Sequence, residues 1–397
     1  MQKFDTAIIG GGMVGLTMAI ILARARLKIA VIDSADLNKT GTKEFDGRVS
    51  AITLASRHIL ENNGIWKYLA EEAEPINHIR ISDSDSHMFL DYDAKLIGDE
   101  PMGHIVENRY IRRALFAAAA EHSNLEIFAP AIYEKVAYNS SHVEISLAGH
   151  LLKAKLLIAA DGKKSKIAAG AGIKPLIWDY GQDGIVCTVR HEKPHGQTAC
   201  ERFLPAGPFA ILPMKGGYHS SLVWTEKRML TPFFMKMDRM ALTAEVKKRF
   251  GSYLGELEVL EPRFSFPLSL YHAERYIDHR LALIGDAAHS IHPVAGQGLN
   301  LGIRDAAVLG ELIAKQQSLG LDTGSLLMLE KYQNLRKADN LLMMSVTDGL
   351  NHLFSNNITP IKLARRFGMS AVNKMPPVKK FFMLHAVGKG GIWKDGI

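Results

Sequence analysis

The stretch that constrains the fold most is RLALIGDAAHSIHPVAGQGLNLGIRDA, residues Arg280–Ala306. Its apolar run LALI predicts a buried strand, which the dipeptide GD at 285–286 interrupts. Three glycines, Gly296, Gly298 and Gly302, then lead into an Ala- and Leu-rich segment that is typical of a helix. A strand, an acidic turn and a glycine-rich helix start predict a site for a phosphate-bearing cofactor, because backbone N–H groups at a helix start attract anions.

A second glycine-rich turn lies near the N-terminus, where GGGMVG at 10–15 fits G-x-G-x-x-G between an apolar strand and an apolar helix. In this pattern Gly10 permits the tight turn, Gly12 lets the backbone approach a pyrophosphate, and Gly15 lets the helix pack on the strand. The next apolar strand ends at Asp33, where a carboxylate can bind the hydroxyl groups of a ribose. The pattern therefore predicts a dinucleotide-binding unit.

The composition is that of an ordinary globular protein, with 397 residues, 47% hydrophobic and 22% charged, enough for two domains or one large one. No apolar run is long enough to predict a transmembrane helix, and the apolar segment at 7–25 lacks the positive start of a secretory signal. Cys187 and Cys200 fall in predicted strands, which favours buried free thiols and a cytoplasmic, reducing compartment. No Cys and His spacing predicts a metal site.

The net charge of +7 is concentrated at the C-terminus, because residues 351–397 contain eight Lys or Arg and one acid, Asp395. Apolar residues alternate with these cations, a pattern typical of a segment that contacts a membrane surface or a partner protein. A helical cap with a solvated basic face explains the pattern equally well. The aromatic-rich modules that accompany nucleic-acid binding are missing, so nucleic acid is not expected.

The order of predicted elements indicates an α/β fold with a discontinuous cofactor-binding domain formed by residues 1–172 and 272–330. Residues 173–271 predict an inserted, mainly antiparallel β-sheet domain for substrate, which can also include 75–105. Residues 331–397 predict a helical, basic segment. Within the first domain, the pattern predicts a helix over Ala55–Tyr68 and another over Tyr110–Glu121.

Three separated motifs resemble the fingerprints of class A flavoprotein monooxygenases: GGGMVG at 10–15, AADGKKSKI at 159–167 and GDAAHSIHPVAGQGLNLG at 285–302. Narrower motifs resemble the ubiquinone-biosynthesis hydroxylases of that class, and they cover nearly the whole chain. They are DGRVSAI at 46–52, GHIVENRYIRRAL at 103–115, ERFLPAGPFAILP at 201–213 and the closing FGM…VNKMPPVKKFFMLHAVG at 367–388. The resemblance implies a Rossmann-like FAD-binding domain of the p-hydroxybenzoate hydroxylase type.

The resemblance also implies which residues hold the cofactor. Arg48 resembles the arginine that reaches the FAD phosphate and ribose, and Asp286 resembles the residue that binds the ribityl chain. The backbone N–H groups of Gly298, Leu299 and Asn300 would face the flavin N1 and O2 edge. The full set of expected FAD-binding residues is Gly10, Gly12, Gly15, Asp33, Arg48, Asn108, Asp161, Gly162, Asp286, Gly296, Gly298, Leu299 and Asn300.

Catalytic groups are harder to assign. His289 and His292 lie between the GD dipeptide at 285–286, called the cofactor turn below, and the glycine-rich helix start. Either histidine could move a proton on the substrate phenol, or could simply bond to backbone. Pro293 resembles a proline whose carbonyl lies near flavin and substrate. Three residues, Phe209, Ile211 and Trp224, could line the substrate sheet or pack in its core, and Tyr271 and His272 are weaker candidates still.

One departure from the family motif concerns the reductant. Ala168 stands where the family usually has an arginine. Lys164 or Lys166 could supply the missing charge; otherwise the NAD(P)H-dependent step is the one in doubt.

The function that the resemblance implies is FAD-dependent hydroxylation of a polyprenylated phenol in ubiquinone biosynthesis, through a flavin C4a-hydroperoxide formed with O2. Electrons would come from NAD(P)H or from a separate reductase, since no second nucleotide motif exists. Expected partners are the phenol, other ubiquinone-synthesis proteins and an anionic membrane contacted peripherally, so that the expected location is cytoplasmic, with peripheral contact at the inner membrane. Alternatives are a hydroxylase of a small soluble phenol and a non-catalytic, FAD-stabilised subunit of a biosynthetic complex.

Overall fold

A computed structural model describes residues 1–37, 45, 47–83, 89–291, 296–354 and 371–389. The strands are β1 Gln2–Ile9, β2 Ile29–Ile32, β3 Val49–Thr53, β4 Glu74–Ile76, β5 His78–Asp83, β6 Phe89–Asp93, β7 Gly103–Glu107, β8 Leu125–Phe128, β9 Tyr133–Tyr138, β10 Val143–Leu147, β11 His150–Ala159, β12 Pro175–His191, β13 Thr198–Leu204, β14 Gly207–Met214, β15 His219–Lys227, β16 Leu257–Ala273, β17 Ile277–Asp278, β18 Leu281–Leu283 and β19 His289–Ser290. The helices are α1 Met13–Arg24, α2 Leu54–Asn62, α3 Asn108–Ala120, α4 Lys166–Gly170, α5 Thr231–Lys236, α6 Arg239–Phe250, α7 Gln297–Ser318, α8 Leu326–Phe354 and α9 Pro376–Ala386.

The first sheet carries both glycine-rich turns. Its path is β17-β18-β11-β1-β2-β8, and the pairs of β1 with β2 and β11, of β2 with β8 and of β11 with β18 are parallel. The second half of β1, residues 6–9 with the sequence TAII, is buried on both faces, which fits its mainly apolar composition. Helices α1 and α7 pack against each other on this sheet and share its core with residues such as Ile8, Leu16 and Leu309.

The second sheet has eight strands in the order β19-β16-β12-β15-β14-β13-β5-β6, antiparallel except where β13 meets β5. One face of this sheet packs on α5 and α6 through an apolar cluster that includes Leu242, Val246 and Phe250. A third, small sheet, β3-β7-β4, is antiparallel. The predicted α/β class, with an antiparallel sheet and a helical C-terminal segment, is confirmed, whereas the domain boundaries proposed at residues 172 and 272 remain a prediction.

Two elements differ from the sequence-based expectation. The helix predicted over Ala55–Tyr68 ends at Asn62, because Gly64 takes a left-handed conformation with φ +72° and only a short 3-10 turn follows it. The sequence pattern predicts a short strand at 184–189, whereas β12 runs over Pro175–His191, since β16 pairs with it along its length. Among the described residues, no helix is both long enough and apolar enough to cross a membrane.

Candidate functional site

A cavity of about 1060 Å³ joins the cofactor motifs to the second sheet. On one side it is lined by Gly12, Gly162, Asp286 and Gly298, which come from all three fingerprint motifs. The other wall comes from β5, β13, β14 and β15 of the second sheet. Residues that lie far apart in the sequence therefore meet around one cavity.

The glycines of the two glycine-rich motifs divide into those that pack against backbone and those that face open space. A Cβ on Gly10 would stand 2.3 Å from the carbonyl oxygen of Ala160, so this glycine closes the turn against β11. A Cβ on Gly12 or on Gly298 would meet no atom of the described residues within 4 Å, because both face the cavity. Open space in front of two helix starts fits a bound dinucleotide such as FAD.

Helix α7 begins at this cavity and is held there by Asn300. The buried Asn300 amide donates to the carbonyl oxygens of Ala51, at 2.7 Å, and Gly296, at 2.9 Å, and its Oδ1 accepts from the N–H of Thr53, at 2.9 Å. The side chain is thus engaged in fixing β3 to α7. The first-turn N–H groups of α7, at Gly298 and Leu299, have no intrahelical acceptor and favour negative charge at the cavity.

The three predicted acids occupy different settings. Asp33 accepts hydrogen bonds from the N–H groups of Gly11, at 2.6 Å, and Ala35, at 2.7 Å, and so braces the first glycine-rich turn. Asp286 lines the cavity, and burial raises the pKa of its carboxyl. Burial likewise raises the pKa of Asp161, whose Oδ1 is buried without a hydrogen-bond partner among the described residues. A polar ligand would supply the hydrogen-bond partner that the buried oxygen of Asp161 lacks.

Arg48 and Asn108 lie beside the cavity rather than in its wall. The exposed Arg48 guanidinium lies over the ring of Phe266, 5.3 Å from its centroid. The N–H of Asn108 donates to the carbonyl oxygen of Arg48, and its Oδ1 accepts from Ser50 at 2.7 Å. These bonds fix the loop that precedes β3 against the start of α3.

His289 is engaged in a buried network below the cofactor turn. Its Nε2 lies 2.5 Å from Oδ2 of Asp305, and the same oxygen accepts from the N–H of Gly285. Both side chains are inaccessible to solvent. This buried setting favours a structural role for His289 over proton transfer on the substrate phenol, although its partner is the Asp305 carboxylate and not the backbone. His292 and Pro293 lie outside the described residues.

The lysines of the second motif also differ from expectation. Lys164 and Lys166 are exposed, whereas Lys163 donates to the carbonyl oxygen of Ser269 at 2.9 Å. Ala168 is buried in the core, where an arginine would have no room to be solvated. Of these lysines, Lys163 is the one that interacts electrostatically with Asp286.

The second sheet distinguishes between the two roles that the sequence left open for three of its residues. Phe209, Ile211 and Trp224 pack on the opposite face, with α5 and α6. Because side chains alternate along a strand, their neighbours Ala210, Leu212 and Val223 line the cavity instead. His272, a weaker candidate, lies 3.2 Å from the hydroxyl of Tyr276 and belongs to the buried network.

Several lining residues had not been predicted. Glu201 on β13 is a carboxyl in this apolar wall, and the C-terminal region contributes Val346, Phe354 and Phe382. The alternation of Ala199, Glu201 and Phe203 along a short strand was the available signal for the first. No group of three or more His, Cys, Asp or Glu in the described part of the chain could hold a metal ion.

Comparison with known proteins defines the class. A family model described as an FAD binding domain matches residues 3–340. The p-nitrophenol 4-monooxygenase PnpA from Pseudomonas putida has the same fold, with a TM-score of 0.81 at 18% identity over 99% of this chain and 100% of that one. The chain therefore belongs to the FAD-binding-domain family and is an FAD-dependent monooxygenase.

The sequence relatives narrow the family. The ubiquinone hydroxylase UbiL of Rhodospirillum rubrum is 46% identical over 97% of this chain and 89% of its own length. The 3-demethoxyubiquinol 3-hydroxylase of Escherichia coli is 33% identical, with coverage of 98% and 99%. Within the FAD-dependent monooxygenases, this chain is a member of the ubiquinone-biosynthesis hydroxylases.

Proposed function

We propose that the protein hydroxylates the aromatic ring of a polyprenylated phenol that is a precursor of ubiquinone. The relatives named for such reactions support this substrate class. The observation that carries the proposal is the shape of the cavity, which continues from Gly12 and Gly298 to Phe354 and Phe382 with a mostly apolar wall. A small soluble phenol would leave the distal apolar part empty, whereas a prenyl chain would fill it.

For the cofactor, we propose that the pyrophosphate lies before α1 at Gly12, with Gly10 and Gly15 keeping the turn tight. Asp33 would hold the ribose, while Arg48 and Asn108 would order the adjacent loop. At the other end, Asp161, Gly162 and Asp286 would bind the ribityl chain. Reduced FAD supplies the activation of O2, and the dipole of α7 would stabilise negative charge on the flavin through the N–H groups that follow Gly296.

The C-terminal segment supports a proposed membrane contact. Helix α9 exposes Phe381 and Phe382, which are 57% and 46% accessible, directly after Lys379 and Lys380. Met375 beside them is also exposed. Cations next to exposed aromatic side chains fit the interface of an anionic membrane, where a prenylated substrate resides. The same surface fits other ubiquinone-synthesis proteins less well, since such interfaces are usually depleted in lysine.

The test is turnover with a defined substrate. Purified protein with FAD, a reductant and a short-chain prenylphenol should consume O2 and give a ring-hydroxylated product that contains one atom of labelled oxygen. A reaction with unprenylated phenol at equal or better efficiency would favour the small-phenol alternative. No turnover with either phenol, under NAD(P)H and under chemical reduction of the flavin, would favour a non-catalytic subunit.

A further inference from the structure

Glu201 lies in the middle of β13, with its side chain in the wall of the cavity. Its partners in the register are Ala210 on β14 and Ile81 on β5, which also line the cavity. On its own strand, Ala199 and Phe203 face the same way. Glu201 is therefore a carboxyl group inside an apolar patch.

The surrounding residues that the structure describes supply no hydrogen-bond partner for this carboxyl, so a ligand would have to supply it. No described residue forms a hydrogen bond or an ion pair with Glu201, and burial raises the pKa of its carboxyl to about 7. The other ionisable groups in the described wall are Tyr92, Cys200 and Asp286. Cys200 accepts from the Tyr253 hydroxyl, and Asp286 belongs to the cofactor turn. Glu201 is partly accessible from the cavity, so a ligand that fills the cavity takes this carboxyl out of water and has to supply a partner for it.

The position of Glu201 along the cavity indicates what that ligand presents. Ala199 packs with Val49 and Ala51 of β3, and Ala51 stands next to Gly296 at the start of α7. In the opposite direction, Phe203 stacks on Phe354, with 4.1 Å between ring centroids. Glu201 lies between Ala199 and Phe203, about 7 Å along the strand from each of them.

We propose that Glu201 binds a hydroxyl group of the substrate's aromatic ring and is the residue that selects for phenols. The ring would lie at the level of Ala199, next to the cofactor, and the prenyl chain would pass Phe203 and Phe354. The phenol hydroxyl donates and the Glu201 carboxylate accepts, which satisfies both groups away from water. This inference rests on the function proposed above.

The test compares two probes on the FAD-loaded protein: a phenol with a short prenyl chain, and the matching prenylbenzene without the hydroxyl. Binding is followed by the flavin absorbance change and by calorimetry, in the wild type, Glu201→Gln, Glu201→Leu and the control Glu258→Gln. Glu258 is on the same sheet, paired with Arg190 outside the cavity wall. We expect the wild type and the control to prefer the phenol at least tenfold.

In Glu201→Leu that preference should vanish, with unchanged affinity for FAD and for the prenylbenzene. The affinity of the wild type for the phenol should also rise as pH increases through about 7, because the ionised carboxylate is the better acceptor, and Glu201→Gln should lose this pH dependence. Retention of both the preference and the pH dependence in the variants would overturn the inference while leaving the proposed function intact. A wild type that binds neither probe would overturn the proposed function, and the inference with it.

Discussion

Arg336 on α8 and Asp305 on α7 form an ion pair with 2.7 Å between Nε and Oδ1, and neither side chain is more than 1% accessible. Asp305 also bonds to His289, while Arg336 bonds to Asp339 and Asn340. Burial opposes the ionisation of Asp305, yet the neighbouring His289 and Arg336 hold its pKa below the usual range. The pair thus joins α7 to α8, and through Asp305 it also contacts Gly285 of the cofactor turn.

Replacement of Asp305 by Asn should destabilise the protein by about 3 kcal/mol, because Arg336 keeps Asp339 but loses Asp305 as a buried counter-charge, and His289 loses its carboxylate partner. The free energy of unfolding from chemical denaturation measures this effect. Glu256→Gln is the matched control, since Glu256 is 82% exposed and pairs with Lys247 at the surface, where the expected loss is below about 1 kcal/mol. Equal losses of unfolding free energy in the two variants would show that the buried ion pair stabilises the protein no more than the surface pair does.

The same aspartate predicts a pH dependence of stability. Because its pKa is lowered in the folded state, the stabilisation it gives is present above the unfolded-state value, about 3.9, and is lost as pH falls from there through the folded pKa. Unfolding curves recorded between about pH 5 and pH 2 bracket that value. Over this range the free energy of unfolding should fall more steeply for the wild type than for Asp305→Asn. Parallel losses would assign the acid sensitivity to other carboxyl groups.

Gly12 and Gly15 should respond differently to an added methyl group or larger side chain. A Cβ on Gly15 would stand 1.9 Å from the carbonyl oxygen of Gly10, so Gly15→Ala should cost about 1–3 kcal/mol of folding stability. Gly12→Val should leave the stability of the FAD-free protein almost unchanged and abolish FAD binding, since its side chain occupies the open cavity. Melting temperatures without FAD, together with FAD titrations, separate the two effects.

Asp286→Ala should weaken FAD binding by about 1.5–3 kcal/mol, or roughly 10- to 150-fold, through loss of a hydrogen bond to a charged acceptor. The quenching of flavin fluorescence gives the dissociation constant. Lys164→Gln serves as the control, because Lys164 is exposed in the second motif and no cofactor role is proposed for it. If Asp286→Ala retained wild-type affinity, the ribityl end of the cofactor would have to lie elsewhere.

The membrane contact predicts a charge effect confined to α9. The double variant Lys379→Gln/Lys380→Gln should bind anionic vesicles about 30-fold less tightly, since each lysine near such a surface contributes about 1 kcal/mol. High salt should weaken wild-type binding in the same direction. The variant Lys247→Gln/Lys248→Gln removes the same charge from α6 and should bind like the wild type. Sedimentation with vesicles, with flavin absorbance as the measure of protein, distinguishes them.

The sequence was most informative where backbone geometry leaves few choices. Gly10, Gly12 and Gly298 were each predicted from spacing; the structure places Gly12 and Gly298 at helix starts beside one cavity and Gly10 in the tight turn against β11. Spacing alone could not show that Asn300 uses its side chain to tie β3 to α7. That contact depends on residues about 250 positions away, which no local pattern reveals.

For residues of the second sheet, the sequence did not show which side chains face the cavity. From the sequence, Phe209 and Trp224 fitted a substrate wall and a packed core equally well. The register turns them toward α6, and the smaller Ala210 and Val223 face the cavity. The choice of face depends on which side of the sheet the helices cover, and this is a property of the tertiary fold. Glu201 escaped attention for the same reason, since an acid in a strand usually faces solvent.

Helix α8 has a consequence for how the protein works as a unit. Near its start, Tyr332 bonds to the carbonyl oxygen of Leu283 beside the cofactor turn; further along, Asp348 bonds to Tyr180 on β12, and at its end Phe354 covers Phe203. At about 1.5 Å per residue, its 29 residues span more than 40 Å. A single helix therefore connects the flavin end of the cavity to its far end. The length of α8 thus helps to set the length of the cavity that is available to a long-chain substrate.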